Sequence, residues 1–389
     1  MDKIIKKLTK PQKNWLEKIH ATREMLLGNL SMTAEIPAPT FHEKDRAEFI
    51  LSRYAETGIL EPRTDKLHNA IGKIEGASNR NIVVCTHMDN AFDSSIDQNI
   101  AITEDCVYGP GVADDNISIA ALLTLPDILK RIGLTFNNNI ILLATTRYHG
   151  RGDFEGMRSF VKNCGDNIDA VINLKGINFG TLNYFTLSRV RCDIKCEIND
   201  DNREGTWLKM SGGSAILTIN EIIESLYQIP LPRKPKTLLN VGMISGGERY
   251  STVSREASIN LEVLSEDDKI MDQLIEDINI RCVDIGAKHG ARVTADFFGR
   301  HNASSLSSGH NLVKNALDII KILGADPAME YSNSQITVSL AEDIPSVNLG
   351  LTTGRGGSSN KSFIDIAPLD LGLLQLVMLL QAVDRKTGE

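Results

Sequence analysis

The sequence lacks several features that would have settled its class at once. Its six cysteines, Cys85, Cys106, Cys164, Cys192, Cys196 and Cys282, form no CxxC pair and no dense framework. They read as reduced thiols of a cytoplasmic protein rather than a disulfide scaffold. Cys192 and Cys196 are an even number of residues apart in a strand-like run, which puts both on one face as core residues. No apolar run reaches the ~20 residues that would cross a bilayer. The opening MDKIIKKLTKPQKNW has no apolar core of the signal-peptide type. Acidic and basic residues are interspersed at a net charge of −8. The one basic run, Lys3 to Lys7, is short enough to be a solvated helix face, so neither nucleic acid nor membrane is expected as a partner. There is no internal repeat and no low-complexity segment.

What is present is a chain of 389 residues, 42% of them hydrophobic. That suits two domains with sizeable cores. In the first half, short apolar runs alternate with helical patterns. Asn81–Thr86, Asn139–Thr146 and Asp169–Leu174 read as strands, and Asp115–Ile132 as a helix between the first two. Ser346–Leu351 reads as another such strand and Pro368–Val383 as a closing helix. Strands apolar on both faces, joined by helices, predict a mostly parallel sheet covered on both sides. The middle differs. Leu187–Ile198, Thr237–Ile244, Ser254–Leu264 and Ala291–Phe298 read as strands, Ser214–Tyr227 and Glu266–Ala287 as helices. The order β-α-β-β-α-β predicts a ferredoxin-like α+β unit over 187–299, inserted between the two parts, 1–186 and 300–389, of a larger α/β domain.

Two motifs carry possible chemistry. Thr86-His87-Met88-Asp89 ends a strand, where a histidine points into the crevice at the carboxyl edge of a parallel sheet, and Asp89 stands where it can orient the imidazole. Tyr108-Gly109-Pro110-Gly111-Val112-Ala113-Asp114-Asp115-Asn116 opens a helix. Taken alone, its glycines make a turn and its aspartates a cap.

The two motifs together, followed by a strand and the turn Gly150-Arg151-Gly152-Asp153-Phe154-Glu155-Gly156-Met157, resemble the co-catalytic zinc peptidases and deacylases, the group of peptidase T, acetylornithine deacetylase, carboxypeptidase G and aminoacylase. Ser31–Arg46, Asn240–Gly247, Gly350–Gly354 and Ile364–Pro368 extend the resemblance along nearly the whole chain. It implies an α/β fold of the phosphorylase/hydrolase-like kind, with a mixed, mostly parallel sheet sandwiched by helices. It also implies an inserted ferredoxin-like lid, often used for dimerisation, and a site of two zinc ions held by five side chains beside a glutamate base. Carried over residue by residue, His87 and Asp114 match the first histidine and the bridging aspartate. The Glu-Glu pair becomes Tyr148, at the position of the base, and His149. An acidic ligand becomes Lys175, a histidine becomes Ser358, and the lid histidine falls near Gly205, just before Trp207. Asn240 and Arg300 fall where the lid contacts substrate.

The expectation is a protein without the dinuclear site and the base, serving as a binding or regulatory relative, with Lys175 paired to Asp114 in place of a metal charge and Arg147 adding to it. The alternative is a hydrolase of peptide or N-acyl amino acid amides with one zinc on His87, Asp114 and His149 and a water in the fourth position, Tyr148 assisting as acid or donor. A hydrolase using Ser358 and Lys175 without metal, and a silent subunit of a larger assembly, complete the set. The cofactor expected is therefore one zinc or none, not two. The expected partners are a small molecule or peptide and a second copy of the chain bound through the lid.

Overall fold

Four apolar runs, Asn139–Thr145, Asn81–His87, Ile168–Lys175 and Ser346–Gly350, lie side by side in that order as the parallel centre of an eight-stranded sheet. Short strands complete both edges: Ala70–Ile74 is antiparallel to Asn139–Thr145 on one side, and Thr181–Asn183 is antiparallel to Ser346–Gly350 on the other. The computed structural model describes residues 8–92, 95–164, 167–198, 213–357 and 359–384. Lys3 to Lys7, Gly205, Trp207 and Ser358 lie outside the described residues.

The chain divides into two compact units, Met1–Thr186 with Ser305–Glu389, and Leu187–Ser304. In the first, the chain leaves Asn81–His87, passes through helix Ile117–Ile132 and returns on one side of that strand as Asn139–Thr145. It then passes through helix Glu155–Cys164 and returns on the other side as Ile168–Lys175. Strand order therefore reverses at Asn81–His87, and the crevice of such a sheet opens at the carboxyl end of that strand. The two connecting helices contribute to different apolar layers. Ile117, Leu122 and Leu125 pack with Ile82, Val84 and the closing helix Leu369–Asp384, whereas Met157 and Phe160 pack with Val83 and Cys85. Alternate residues of one strand thus feed two cores, which is why its sequence shows no polar alternation.

The second unit has the strand order Thr237–Gly246, Glu256–Ser265, Ser188–Glu197, Arg292–His301, all antiparallel. With helices Ala215–Tyr227 and Asp268–His289 it is a ferredoxin-like β-α-β-β-α-β unit. Cys192 and Cys196 are buried together with Ile194, Ile219 and Ile278 in its core. The fold is thus the mixed α/β architecture expected, with a separate antiparallel α+β unit. Among the described residues no helix is long and apolar enough to cross a membrane.

Candidate metal centre

The site is built at the strand end where the order reverses. His87 is the last residue of its strand, paired in register with Thr145 of the neighbouring strand. Its Nδ1 lies 2.9 Å from the carbonyl oxygen of Asp89. A carbonyl can only accept, so Nδ1 carries the hydrogen, and Nε2 is turned to the site.

Asp114 comes from the turn ahead of helix Ile117–Ile132. Gly111 enters that turn with φ 65°, and the chain makes one wide π-type turn, Val112–Asn116, before the regular helix begins. Asp114 is therefore no simple cap. The wide turn faces its carboxylate toward the strand end, with Oδ1 3.5 Å from His87 Nε2 and Oδ2 4.0 Å from His149 Nε2. A π-type turn at the mouth of a helix is a recurrent mark of functional sites.

His149 follows the strand Asn139–Thr145 in a turn of unusual backbone. Arg147, Asp153 and Phe154 all have positive φ, at 55°, 46° and 61°. Such conformations are costly for residues other than glycine and persist only where surrounding contacts enforce them. Around residues 147–149 those contacts include two carboxylates. Asp89 accepts from the Tyr148 and His149 amides at 2.9–3.0 Å and from the Thr40 hydroxyl at 2.8 Å. Glu43 accepts from the Arg147 amide at 2.8 Å. Burial pushes the Glu43 carboxyl above its ordinary range, while the Arg147 amide pulls it back.

This differs from the role read for Asp89 in the sequence. Its carboxylate lies 3.7 Å from His87 Nδ1 and serves chiefly to hold the Tyr148–His149 turn, while its main-chain carbonyl orients the imidazole. Arg147 also differs from expectation: its guanidinium pairs with Glu155 at 2.8 Å and lies over the Phe41 ring. Tyr148 stacks flat on His87, with ring centroids 3.8 Å apart and 13° between planes, and His149 meets His87 edge-on.

His87, Asp114 and His149 are the described residues that come together as a metal-ligand set, each offering one donor atom, all within 4.8 Å of one another. Two imidazoles and one carboxylate at this separation fit one zinc ion of the three-protein-ligand type. Among the described residues no second such set comes together. Lys175 ends the adjacent strand, and next to it Gly176 lies so close to the Asp114 turn that a Cβ there would stand 2.5 Å from the Ala113 carbonyl oxygen and 2.8 Å from that of Asp114. Burial pushes the Lys175 ammonium below the ordinary lysine range, and attraction first to Asp114 and then to Glu330 pulls it back. His87 has the opposite balance. Burial opposes its charged form, but Asp114, together with Asp89, outweighs it and pushes the imidazole up to about 9. Asp114 thus favours the charged form of both His87 and Lys175, while among the described residues no ion pair joins Lys175 to it within 4.0 Å.

A second buried pair supports the site from behind. Arg46 and Asp115 are fully buried and joined at 2.5 Å. Arg46 also donates to the carbonyls of Ile36 and Met88, tying the opening segment to the residue after His87. Burial drives both groups toward their neutral forms, Asp115 up to about 7, and the ion pair opposes this. Sequence reasoning passed over Arg46. Its signal was an arginine on the apolar stripe of helix Lys44–Glu56, in line with Ala47, Ile50 and Tyr54.

Asn240 and Arg300 do not meet. They lie on the two opposite edge strands of the second unit's sheet. Arg300 is engaged within that unit, with Asp272 at 3.0 Å and Ser188 Oγ at 2.5 Å. A groove of about 990 Å³ beside helix Glu155–Cys164, lined among others by Lys66, Arg158 and Ile344, includes none of the three donors.

Known proteins share this arrangement of elements. The family profile described as Peptidase family M28 matches residues 69–206, the span that carries His87, Asp114 and His149. Carboxypeptidase G2 of Pseudomonas sp. (strain RS-16) is 24% identical over 206 residues, 50% of this chain and 47% of that protein. The chain is thus similar to a peptidase family and to a carboxypeptidase over part of its length. The aligned part spans about half the length of that curated relative. Among solved structures, the dipeptidase Dug1p of Saccharomyces cerevisiae superposes with a TM-score of 0.78 over 96% of this chain and 98% of its own, at 14% identity. The YXEP protein of Bacillus subtilis, a dinuclear metal-binding peptidase of the M20 family, gives 0.64 over 94% and 99%, also at 14% identity. These likenesses establish the fold.

The Arg46–Asp115 pair yields a stability prediction. Arg46→Met leaves a buried carboxylate without its partner and should cost about 3–5 kcal/mol, whereas Arg46→Met with Asp115→Leu should recover most of that loss. Urea unfolding of the three proteins checks it. A single substitution no worse than the double would refute the coupling.

Proposed function

We propose that this chain is an amide hydrolase that works with one metal ion, held by His87, Asp114 and His149, on peptides or N-acyl amino acids. The observation that carries the reading is the convergence of those three donors within 4.8 Å at the crevice of the sheet. A bound ion would supply Lewis acidity at that point. The chain's own residues do the rest. Asp89 fixes the turn that presents His149 through the Tyr148 and His149 amides. The Asp89 carbonyl sets the His87 tautomer. Tyr148, stacked on His87, contributes a hydrogen-bond donor and not a base, because an ordinary phenol titrates near pH ~10. The substrate class follows the relatives, a carboxypeptidase and a dipeptidase.

A second reading, a relative that binds without catalysing, is favoured by one observation. The carboxylates beside the ligands are already engaged, Asp89 with amides and Asp115 with Arg46, so neither is available as a general base. Hydrolysis of dipeptides and N-acyl amino acids by zinc-loaded protein separates the two. The first reading predicts turnover that a chelator abolishes and that His149→Ala lowers more than about a hundredfold in kcat/KM. Zinc binding without turnover would leave the second.

The proposal includes a homodimer formed through the second unit, in a cytoplasmic protein whose described cysteines are all free thiols. Strand Thr237–Gly246 is an outer strand of its sheet, and it exposes Leu238, Met243 and Ile244. An outer strand with apolar side chains is a template for pairing with a second copy. Sedimentation velocity should show a dimer that Ile244→Lys converts to monomer. A monomeric parent protein, or an unaffected variant, would contradict this.

A further inference from the structure

One row of the parallel sheet is polar. Asn173 stands opposite Cys85 on one neighbouring strand and opposite Asn348 on the other, and Asn348 stands opposite Asn183. Thr145, opposite His87, lies one pair nearer the site. All of these side chains are buried. Gln335, at the head of helix Ile336–Ala341, makes no cap for that helix. Fully buried, its side chain reaches the sheet instead. Its Oε1 accepts from the Thr145 hydroxyl at 2.6 Å, and its Nε2 donates to Asn173 Oδ1 at 2.6 Å and to Cys85 Sγ at 3.4 Å. Asn173 donates in turn to Asn348 at 2.8 Å, and Asn348 to Asn183 at 3.2 Å. Thr145 is also fastened on both sides of His87. Its hydroxyl lies 3.3 Å from the Thr86 carbonyl, and its carbonyl accepts from the Met88 amide at 2.8 Å.

Stability alone does not call for this row, because replacing both partners of a buried hydrogen bond by apolar groups of the same shape is nearly neutral. A satisfied buried network instead fixes one geometry. The geometry fixed here is that of the strand ends under the site. Cys85 precedes His87 by two residues, and Thr145 precedes His149 by four. We infer that Gln335 is a positioning residue of the metal centre: by holding Thr145 and Asn173 on either side of the strand that bears His87, it sets the separation between the His87 imidazole and the turn that presents His149. The inference rests on the one-metal reading above and adds what fixes the distance between two of the ligands. The hydrogen bonds of Gln335 reach neither ligand, so it acts through Thr145.

The test is the zinc dissociation constant of the full chain, measured by competition with a chromophoric chelator, together with the urea midpoint. The proteins compared are the parent, Gln335→Met, Thr145→Val, their double variant and Asn183→Leu, which alters only the far end of the row. Gln335→Met and Thr145→Val should each weaken zinc binding about tenfold, and the double variant should be no weaker than either single one. Asn183→Leu should lower the urea midpoint and leave the zinc affinity within about twofold of the parent's. Unchanged zinc binding by Gln335→Met and Thr145→Val, additive losses in the double variant, or an equal loss in Asn183→Leu overturns the inference while leaving the one-metal reading intact. No zinc bound by the parent protein overturns both. Thr145→Val nearly keeps the side-chain shape, so it keeps the test decisive if Gln335→Met fails to fold.

Discussion

The Asp114 carboxylate faces two imidazoles, and the half-buried Lys175 feels its charge. The wide turn Val112–Asn116 aims the carboxylate, and strand Asn81–His87 brings His87 to 3.5 Å. Lys175 arrives on the next strand. One carboxylate cannot neutralise two divalent ions and an ammonium together, because like charges at these separations in a partly buried site repel by several kcal/mol (~4 kcal/mol per unit pair at 4 Å and an effective dielectric constant of ~20). In the site proposed above these electrostatics favour a single ion. They disfavour the pair of ions bound by the dinuclear peptidase of the same fold.

The supporting charges follow the same logic of pairing. Arg46 and Asp115 neutralise each other in full burial while Arg46 ties down the carbonyls on both sides of the crevice. Asp89 and Glu43 hold the start of the strained turn, residues 147–149, through amides rather than through cations. Removing the strain would free the turn but lose His149 from the ligand set. Two buried carboxylates facing one turn offset the backbone cost.

The strands were readable because parallel strands buried on both faces are continuous apolar runs, and Asn81–His87, Asn139–Thr145 and Ile168–Lys175 lie within one residue of their expected ends. The inserted β-α-β-β-α-β order was readable for a different reason, the polar–apolar alternation of antiparallel strands with one buried face, as in Glu256–Ser265. Helix Arg23–Ala34 was not read. It buries Asn29 and Thr33 among its leucines, which blurs the apolar period. The start of the helix after Asp114 was misplaced because the wide turn and the αL glycine before it are a tertiary adjustment that propensity does not encode. At the site, His87 and Asp114 were legible from motif and strand position, and His149 only from its place after the next strand. The division of labour at Asp89, carbonyl to His87 and carboxylate to the turn, depends on contacts sixty residues apart along the chain. So does the Arg46 anchor, whose partner Asp115 the apolar stripe around Arg46 does not name.

We propose that the charge around Asp114 admits one metal ion. Titration of the purified protein with cobalt(II), followed by visible absorption, tests it most directly. The account predicts a ligand-field band of low-symmetry, four- or five-coordinate type that saturates at one equivalent per chain. A band that continues to grow to two equivalents, or no band at all, would contradict it.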